Sequence, residues 1–209
     1  MKLILSLITG LSIAAQLLAA EVDITFKSDA DTKKILFIAG RPSHAHGQHE
    51  HRAGCMLLAD ALNKSDLKVE AKVQWYGWPS QPDAFKDVDM AVVYADAGGR
   101  MDEGIQKLMS TKVKKGMGIM FIHYGVHPKP NVGEQYFLDW TGAYFKNGTS
   151  VNPHWVADIT PLKGHAVANG ISNPIKAFDE FYFNMKKKDG CPHCLALASA
   201  TPTPERVLR

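Results

Sequence analysis

Residues 34–62 constrain the fold of this chain more than any other segment. An uninterrupted apolar run at positions 35–39 is followed by a histidine-rich loop and then by apolar residues at helical spacing. An apolar run without polar alternation is typical of a strand buried on both faces of a parallel sheet. A strand, a tight loop and a helix in this order open a βαβ unit, so the segment predicts an α/β fold.

The loop between this strand and helix is a candidate binding site. It spans 41–48, beyond the carboxyl end of the strand, where ligands bind in open α/β sheets. Four of the nine histidines fall within eight residues, at His44, His46, His49 and His51. Neutral imidazole is the form that binds metal ions, and the positive end of a helix dipole favours that form near His49. The loop therefore indicates a site for a metal or a polar substrate.

The following residues continue the alternation of strands and helices. Apolar patterns predict further strands at 69–75, 88–95 and 116–124 and a helix at 102–112. This order predicts a three-layer α/β domain with a mostly parallel, doubly wound sheet of the flavodoxin-like type. Asp96 and His123 end two of the strands, so we expect both at the sheet edge that carries the histidine loop.

Composition limits the class of protein. A chain of 209 residues with 45% hydrophobic residues suits one globular domain with a sizeable core. Its net charge of +3 does not indicate a nucleic-acid-binding protein. The expected partner is a small molecule instead.

The N-terminal segment predicts export. Residues 1–20 have one early lysine, an apolar core and small residues before Glu21, as in a secretory signal peptide. We therefore expect a secreted or periplasmic protein, with a polar leader at 21–33 and the α/β domain at 34–209. No other segment is long and apolar enough to predict a membrane span.

Three cysteines are too few for a disulfide framework. Cys55 falls on the predicted first helix and is expected in the core. Cys191 and Cys194 form a C-x-x-C motif, which redox enzymes place at a helix N-terminus. A buried-strand pattern follows the motif here. The sequence leaves redox catalysis, a disulfide and a pair of turn cysteines open.

The last third of the chain adds polar and aromatic candidates. His154 stands beside Trp155 ahead of a predicted strand, and His165 lies in a glycine-containing turn. Asp179 and Glu180 form a carboxylate pair among aromatic residues. Such a pair suits either the support of neighbouring ligands or general acid/base catalysis.

Together these stretches resemble the ThuA-like, or trehalose utilisation, family. The first-loop pattern S-H-x-x-G-x-H-E-x-x-A-G matches positions 43–54, with His44 and His49 on its fixed positions. The other matching stretches are F-I-H-Y at 121–124, Y-F-L-D-W-T-G-A-Y-F at 136–145, S-V-N-P-H-W at 150–155, G-H-A-V-A-N-G-I at 164–171 and F-D-E-F-Y-F at 178–183. The resemblance covers about residues 33 to 200.

The resemblance implies a fold similar to that of class I glutamine amidotransferases. Those enzymes place a nucleophilic cysteine in the sharp turn after a strand, where this chain has His123. Glutamine amidotransferase activity is therefore not expected. The resemblance implies a histidine and carboxylate site for a divalent metal, with zinc favoured by imidazole ligands.

The resemblance also implies roles for the candidate residues. The expected metal ligands are His44, His49 and His123. The expected catalytic residues are His123, Asp179 and Glu180. The expected substrate-binding residues are Asp96, His154, Trp155 and His165.

The expected function is that of an exported, metal-dependent enzyme acting on a disaccharide or a keto-sugar. A non-catalytic sugar-binding or accessory module is the alternative, and a thiol oxidoreductase is a third possibility. Relatives of this kind continue with another strand, a histidine-containing turn and a helix. The chain is therefore expected to be incomplete at its C-terminus.

Overall fold

A computed structural model describes residues 23–81, 83–161, 165–171, 174–190 and 198–200. The α-helices in this part of the chain are α1 (His51–Asn63), α2 (Glu103–Lys114) and α3 (Glu134–Thr141). The strands are β1 (Lys33–Ala39), β2 (Val69–Gln74), β3 (Met90–Tyr94), β4 (Gly118–Phe121), β5 (Ala143–Tyr144), β6 (His154–Pro161), β7 (Ile175–Glu180), β8 (Lys186–Lys187) and β9 (Ala198–Ser199). Short 3₁₀ turns follow at Asp96–Gly99, His123–Val126 and Ala166–Ala168.

Four parallel strands form the central sheet in the order β2, β1, β3, β4. Phe37 of β1 packs with Cys55 of α1, whereas Leu36 packs in the core that contains Met109 of α2. Neighbouring residues of a strand point to opposite faces, so α1 and α2 cover the two faces. The predicted three-layer α/β architecture is confirmed, and its strand order is that of the flavodoxin-like sheets.

The elements that deliver site residues are shorter than the apolar patterns predicted. β3 ends at Tyr94 and β4 at Phe121, and each is followed by a 3₁₀ turn that begins with a candidate site residue, Asp96 or His123. The carboxyl ends of parallel strands lie at one edge of the sheet. Both side chains therefore reach the edge where the loop after β1 lies.

The segment expected as a polar leader takes part in the folded domain. Ile24 is buried in the core that contains Leu36. The Glu70 carboxylate accepts hydrogen bonds from the backbone N–H groups of Lys27 and Ser28 at 3.0 and 2.8 Å. One acidic side chain of β2 therefore fixes the course of this segment across the sheet.

Beyond α3 the chain leaves the parallel sheet and forms antiparallel pairs. β6 pairs with β7 and with β9, and β5 pairs with β8. Trp155 of β6 is buried, whereas its neighbours His154 and Val156 are exposed. The β6–β7 hairpin thus has a packed face and an outer face. Cys191 and Cys194 lie outside the described residues.

None of the helices within the described ranges has the length and apolar character needed to cross a membrane.

We predict that Glu70→Ala lowers the free energy of unfolding by about 1–2 kcal/mol, because hydrogen bonds to a charged group contribute on that order. Burial tends to raise the pKa of Glu70, but the hydrogen bonds from Ser28 and Lys27 outweigh it and lower that pKa. A lowered carboxyl pKa stabilises the fold above the ordinary glutamate value and loses that effect as the pH falls through the folded-state value.

Urea unfolding at pH 7 and at pH 3 measures this effect, and the difference between the two proteins should shrink at pH 3. Glu103→Ala is the control, since Glu103 is exposed and its ion pair within the described part of the chain is with Lys107 on the same helix. Pairs of this kind on a solvent-exposed helix face contribute little to stability. Equal stability losses in both variants at pH 7 would contradict the anchoring role of Glu70.

Candidate functional site

A cavity of about 790 Å³ opens at the carboxyl edge of the parallel sheet. Its lining includes His44 and His49 from the loop after β1, His123 from the turn after β4, and Asp179 and Glu180 from the end of β7. Cavities of this size accommodate small molecules. His154 of β6 also lines it, so the structure brings six candidate residues around one space.

Asp96 connects the histidine loop to the sheet. Its Oδ1 accepts a hydrogen bond from His49 Nδ1 at 2.7 Å, and its Oδ2 lies 3.6 Å from His44 Nδ1. Burial tends to raise the pKa of Asp96, but hydrogen bonds from Ser43 and His49 outweigh it and lower that pKa. Asp96 is therefore a carboxylate at neutral pH, and it fixes the ring of His49.

His51 is a loop histidine to which the sequence assigned no role, and the structure places it against Asp96. Its ring is 2% exposed, Nδ1 donates to the Arg41 carbonyl at 3.0 Å, and Nε2 lies 3.2 Å from Asp96 Oδ1 without hydrogen-bond alignment. A Cβ at position 40 would lie 2.9 Å from His51 Nδ1, so only Gly40 fits against this ring. The one available signal was its place in the histidine-dense loop.

A chain of side-chain contacts runs from Asp96 into the cavity. His49 Nε2 lies 3.2 Å from His123 Nε2, which lies 3.3 Å from Glu180 Oε2. A carboxylate only accepts hydrogen bonds, so His49 Nδ1 carries the hydrogen toward Asp96, and in that tautomer His49 Nε2 is an acceptor. His123 Nε2–H therefore faces two acceptors, the imidazole of His49 and the carboxylate of Glu180.

The backbone at two of these histidines is strained. His123 has φ +51° and His44 has φ +61°, in the left-handed region. Residues other than glycine adopt this backbone conformation at a cost of roughly 1–2 kcal/mol. His123 follows β4 in a sharp turn that exposes its ring to the cavity, as the nucleophile elbow of other α/β enzymes does. Strain of this kind clusters at functional sites.

Glu180 is held from several sides. The Asn152 side-chain amide donates to Oε1, and the backbone N–H of Glu180 donates to Asp179 Oδ1 at 2.8 Å. Burial, with Glu180 close by, raises the pKa of Tyr182 well above its usual value. Burial also lowers the pKa of His123, although Glu180 opposes that effect. The site thus pairs an uncharged imidazole with a fixed carboxylate.

The remaining candidates lie in different surroundings. His154 lines the rim of the cavity, 4.0 Å from Glu180 Oε1. The ring of Trp155 is buried against Phe181 at 4.1 Å between centroids, on the packed face of the hairpin and outside the described cavity lining. His165 is exposed, accepts from the Val167 N–H at 3.2 Å and is also outside that lining. Strand alternation explains why neighbouring His154 and Trp155 separate.

Two residues of the histidine loop and Asp96 form a group that could hold a metal ion. His44, His49 and Asp96 can each offer one ligand atom within 4.8 Å of the others. Imidazole and carboxylate groups are ligands that zinc accepts. His123 contacts this group through His49.

The family model described as ThuA, trehalose utilisation, matches residues 34–205. The chain belongs to the ThuA family. A ThuA-like protein from Bacteroides uniformis aligns with a TM-score of 0.53 and 11% identity, over 76% of this chain and 63% of its own. A ThuA-like protein from Parabacteroides merdae aligns with a TM-score of 0.50 and 17% identity, over 81% of this chain and 68% of its own. This ThuA-family chain thus covers 63% of the length of the first relative and 68% of the length of the second.

PurLQS from Thermotoga maritima aligns with a TM-score of 0.44 and 10% identity, over 82% of this chain and 76% of that one. None of the curated proteins matches the chain significantly.

We predict that the group of His44, His49 and Asp96 binds Zn²⁺ and that Asp96→Asn weakens this binding by roughly 10- to 100-fold, because the amide is a poorer ligand and a weaker acceptor for the His49 ring. The amide keeps the shape of the side chain but removes the negative charge. Titration of metal-free protein against a competing chelator measures the affinity. Asp158→Asn, on the exposed face of β6, is the control and should bind as the wild type does. Equal affinity in Asp96→Asn would rule out this role.

Proposed function

We propose that this ThuA-family protein is an exported, metal-dependent enzyme that acts on a disaccharide, such as trehalose, or on a keto-sugar. The observation that carries the proposal is the contact chain from Asp96 through His49 and His123 to Glu180, with distances of 2.7, 3.2 and 3.3 Å. This series of side-chain contacts ends in a cavity large enough for a sugar. The family description supports the substrate class, and the signal-peptide pattern at 1–20 supports export.

The groups around the cavity suit a neutral, hydroxyl-rich ligand. Asn147, Asn152 and Tyr182 line it together with the histidines. Carboxamides, imidazoles and phenols donate and accept hydrogen bonds, as neighbouring sugar hydroxyls require. Glu180 adds a carboxylate that accepts from hydroxyl groups.

His44, His49 and Asp96 would hold the metal, with His123 adjacent to them. A bound divalent ion would supply Lewis acidity toward a carbonyl or hydroxyl oxygen of the substrate. Because His49 Nδ1 donates to Asp96, its Nε2 is the nitrogen that would bind the ion, in place of its contact with His123. Zinc is the ion that this donor set favours.

His123 and Glu180 are suited to proton transfer. The lowered pKa of His123, caused chiefly by burial, keeps its imidazole neutral and able to accept a proton. Glu180 Oε2, at 3.3 Å, would stabilise the imidazolium that forms. Asp179 holds the Glu180 backbone in place through its carboxylate. The pair would therefore move a proton at a sugar hydroxyl or at a carbon beside a carbonyl.

Cysteine chemistry of the glutamine amidotransferase type has no support at this site. The turn after β4 carries His123, and Cys55 is buried in the core, where burial raises its pKa to about 12. A thiol with such a pKa is not a thiolate at neutral pH. The thiol oxidoreductase alternative rests on the C-x-x-C motif alone.

We predict that His123→Gln and Glu180→Gln each lower the turnover of the sugar substrate by about 100-fold or more, the usual contribution of a general acid or base. Zinc content is measured in the purified wild type. Disaccharides and their keto derivatives are then screened for turnover. His46→Gln replaces an exposed histidine of the same loop and is the control. Binding of sugar without turnover in the wild type would identify a non-catalytic module and overturn the enzymatic proposal.

A further inference from the structure

Phe178 is a large apolar side chain that the fold leaves in solvent. It is 69% exposed, although it lies in the middle of β7. Its ring belongs to the lining of the 790 Å³ cavity. Packing in the folded domain therefore does not account for an aromatic residue at this position.

The hairpin register places Phe178 beside polar residues of the site. Glu180 is paired with His154, and Phe178 with Val156, on the outer face of the hairpin. The rings of Phe178 and His154 lie 6.2 Å apart between centroids, with 33° between their planes. The two rings form a shallow aromatic surface next to the Glu180 carboxylate.

The distance between Phe178 and Glu180 matches the size of one sugar ring. Two residues along a strand span about 6.6 Å, so a ring lying on Phe178 would be a neighbour of a ring held by His123 and Glu180. A pyranose has an apolar C–H face and a polar rim. The aromatic surface complements the apolar C–H face, and the polar side chains of Glu180 and Asn152 beside it complement the hydroxyl groups of the rim.

We propose that Phe178 and His154 form a platform that binds the second sugar ring of a disaccharide, while the first ring lies at His123 and Glu180. The proposal rests on the carbohydrate function proposed above and narrows it. The platform gives the protein a preference for a glycoside of two or more rings over a monosaccharide.

The surroundings of Phe178 favour a small ligand over a protein partner. Val156 is the adjacent exposed apolar residue, at 58% exposure, and the charged pair of Asp158 and Lys176 follows it on the same face. A stable protein interface buries about 800 Å² on each partner around a desolvated centre. Two apolar side chains bordered by charges do not supply such a centre.

Calorimetric titration of the metal-loaded protein with trehalose and with methyl α-D-glucopyranoside tests the platform. In Phe178→Ala we expect at least about a ten-fold loss of affinity for trehalose, equal to about 1.4 kcal/mol, and less than about a two-fold change for the monosaccharide glycoside. Phe178→Leu should fall between Phe178→Ala and the wild type, because it keeps apolar surface without the ring. Ile175→Ala is the matched control, since Ile175 is exposed on the same strand but belongs to its opposite face.

Each other outcome is decisive. Unchanged trehalose affinity in Phe178→Ala, with binding by the wild type, would overturn the platform and leave the proposed function intact. Equal losses for both sugars would place the first ring on Phe178 and overturn the two-ring assignment. If the wild type binds neither sugar, the platform is overturned together with the disaccharide part of the proposed function, and the turnover screen with keto-sugars then decides the other part. Thermal melting of the variants should match the wild type, because Phe178 contributes little buried surface.

Discussion

The contact between the Asp96 carboxylate and the histidine loop is the interaction on which the rest of the site depends. Asp96 hydrogen-bonds His49 and lies within 3.6 Å of His44 and 3.2 Å of His51. A single half-buried anion thus ties the end of β3 to the loop after β1. Without its charge, the His49 ring would lose its strongest hydrogen-bond acceptor, and Nε2 of His49 would no longer be fixed toward His123.

Two different kinds of β-structure meet at the cavity. The parallel sheet supplies Asp96, His49 and His123 from strand ends at one edge, while the antiparallel β6–β7 hairpin supplies Glu180. The parallel edge gives the imidazoles, and the hairpin gives the second carboxylate. The contact between His123 and Glu180 therefore depends on how the hairpin packs against the sheet, which couples the site to the tertiary arrangement.

The backbone at His44 and His123 is strained, and the packed layers of the domain compensate for that strain. Left-handed backbone at two non-glycine residues costs the fold roughly 1–2 kcal/mol each, and the buried clusters on the two faces of the sheet offset it. Rings held in this way start close to their partners and need little reorganisation when a ligand binds. The packed layers stabilise the fold, and the turns after the strands hold the residues of the candidate site.

The sequence by itself determined the order of strands and helices, the three-layer class, the importance of the histidine loop and the edge at which Asp96 and His123 emerge. These follow from apolar runs and from the rule that parallel strands share a carboxyl edge. Only the tertiary structure decided that Trp155 is buried while Phe178 is exposed, and that His51 lies against Asp96. Both alternating sets of positions in F-D-E-F-Y-F contain two aromatic residues, so the pattern cannot say which set is buried. The packing of the hairpin settles that choice, because the face that meets other elements is fixed by contacts distant in sequence.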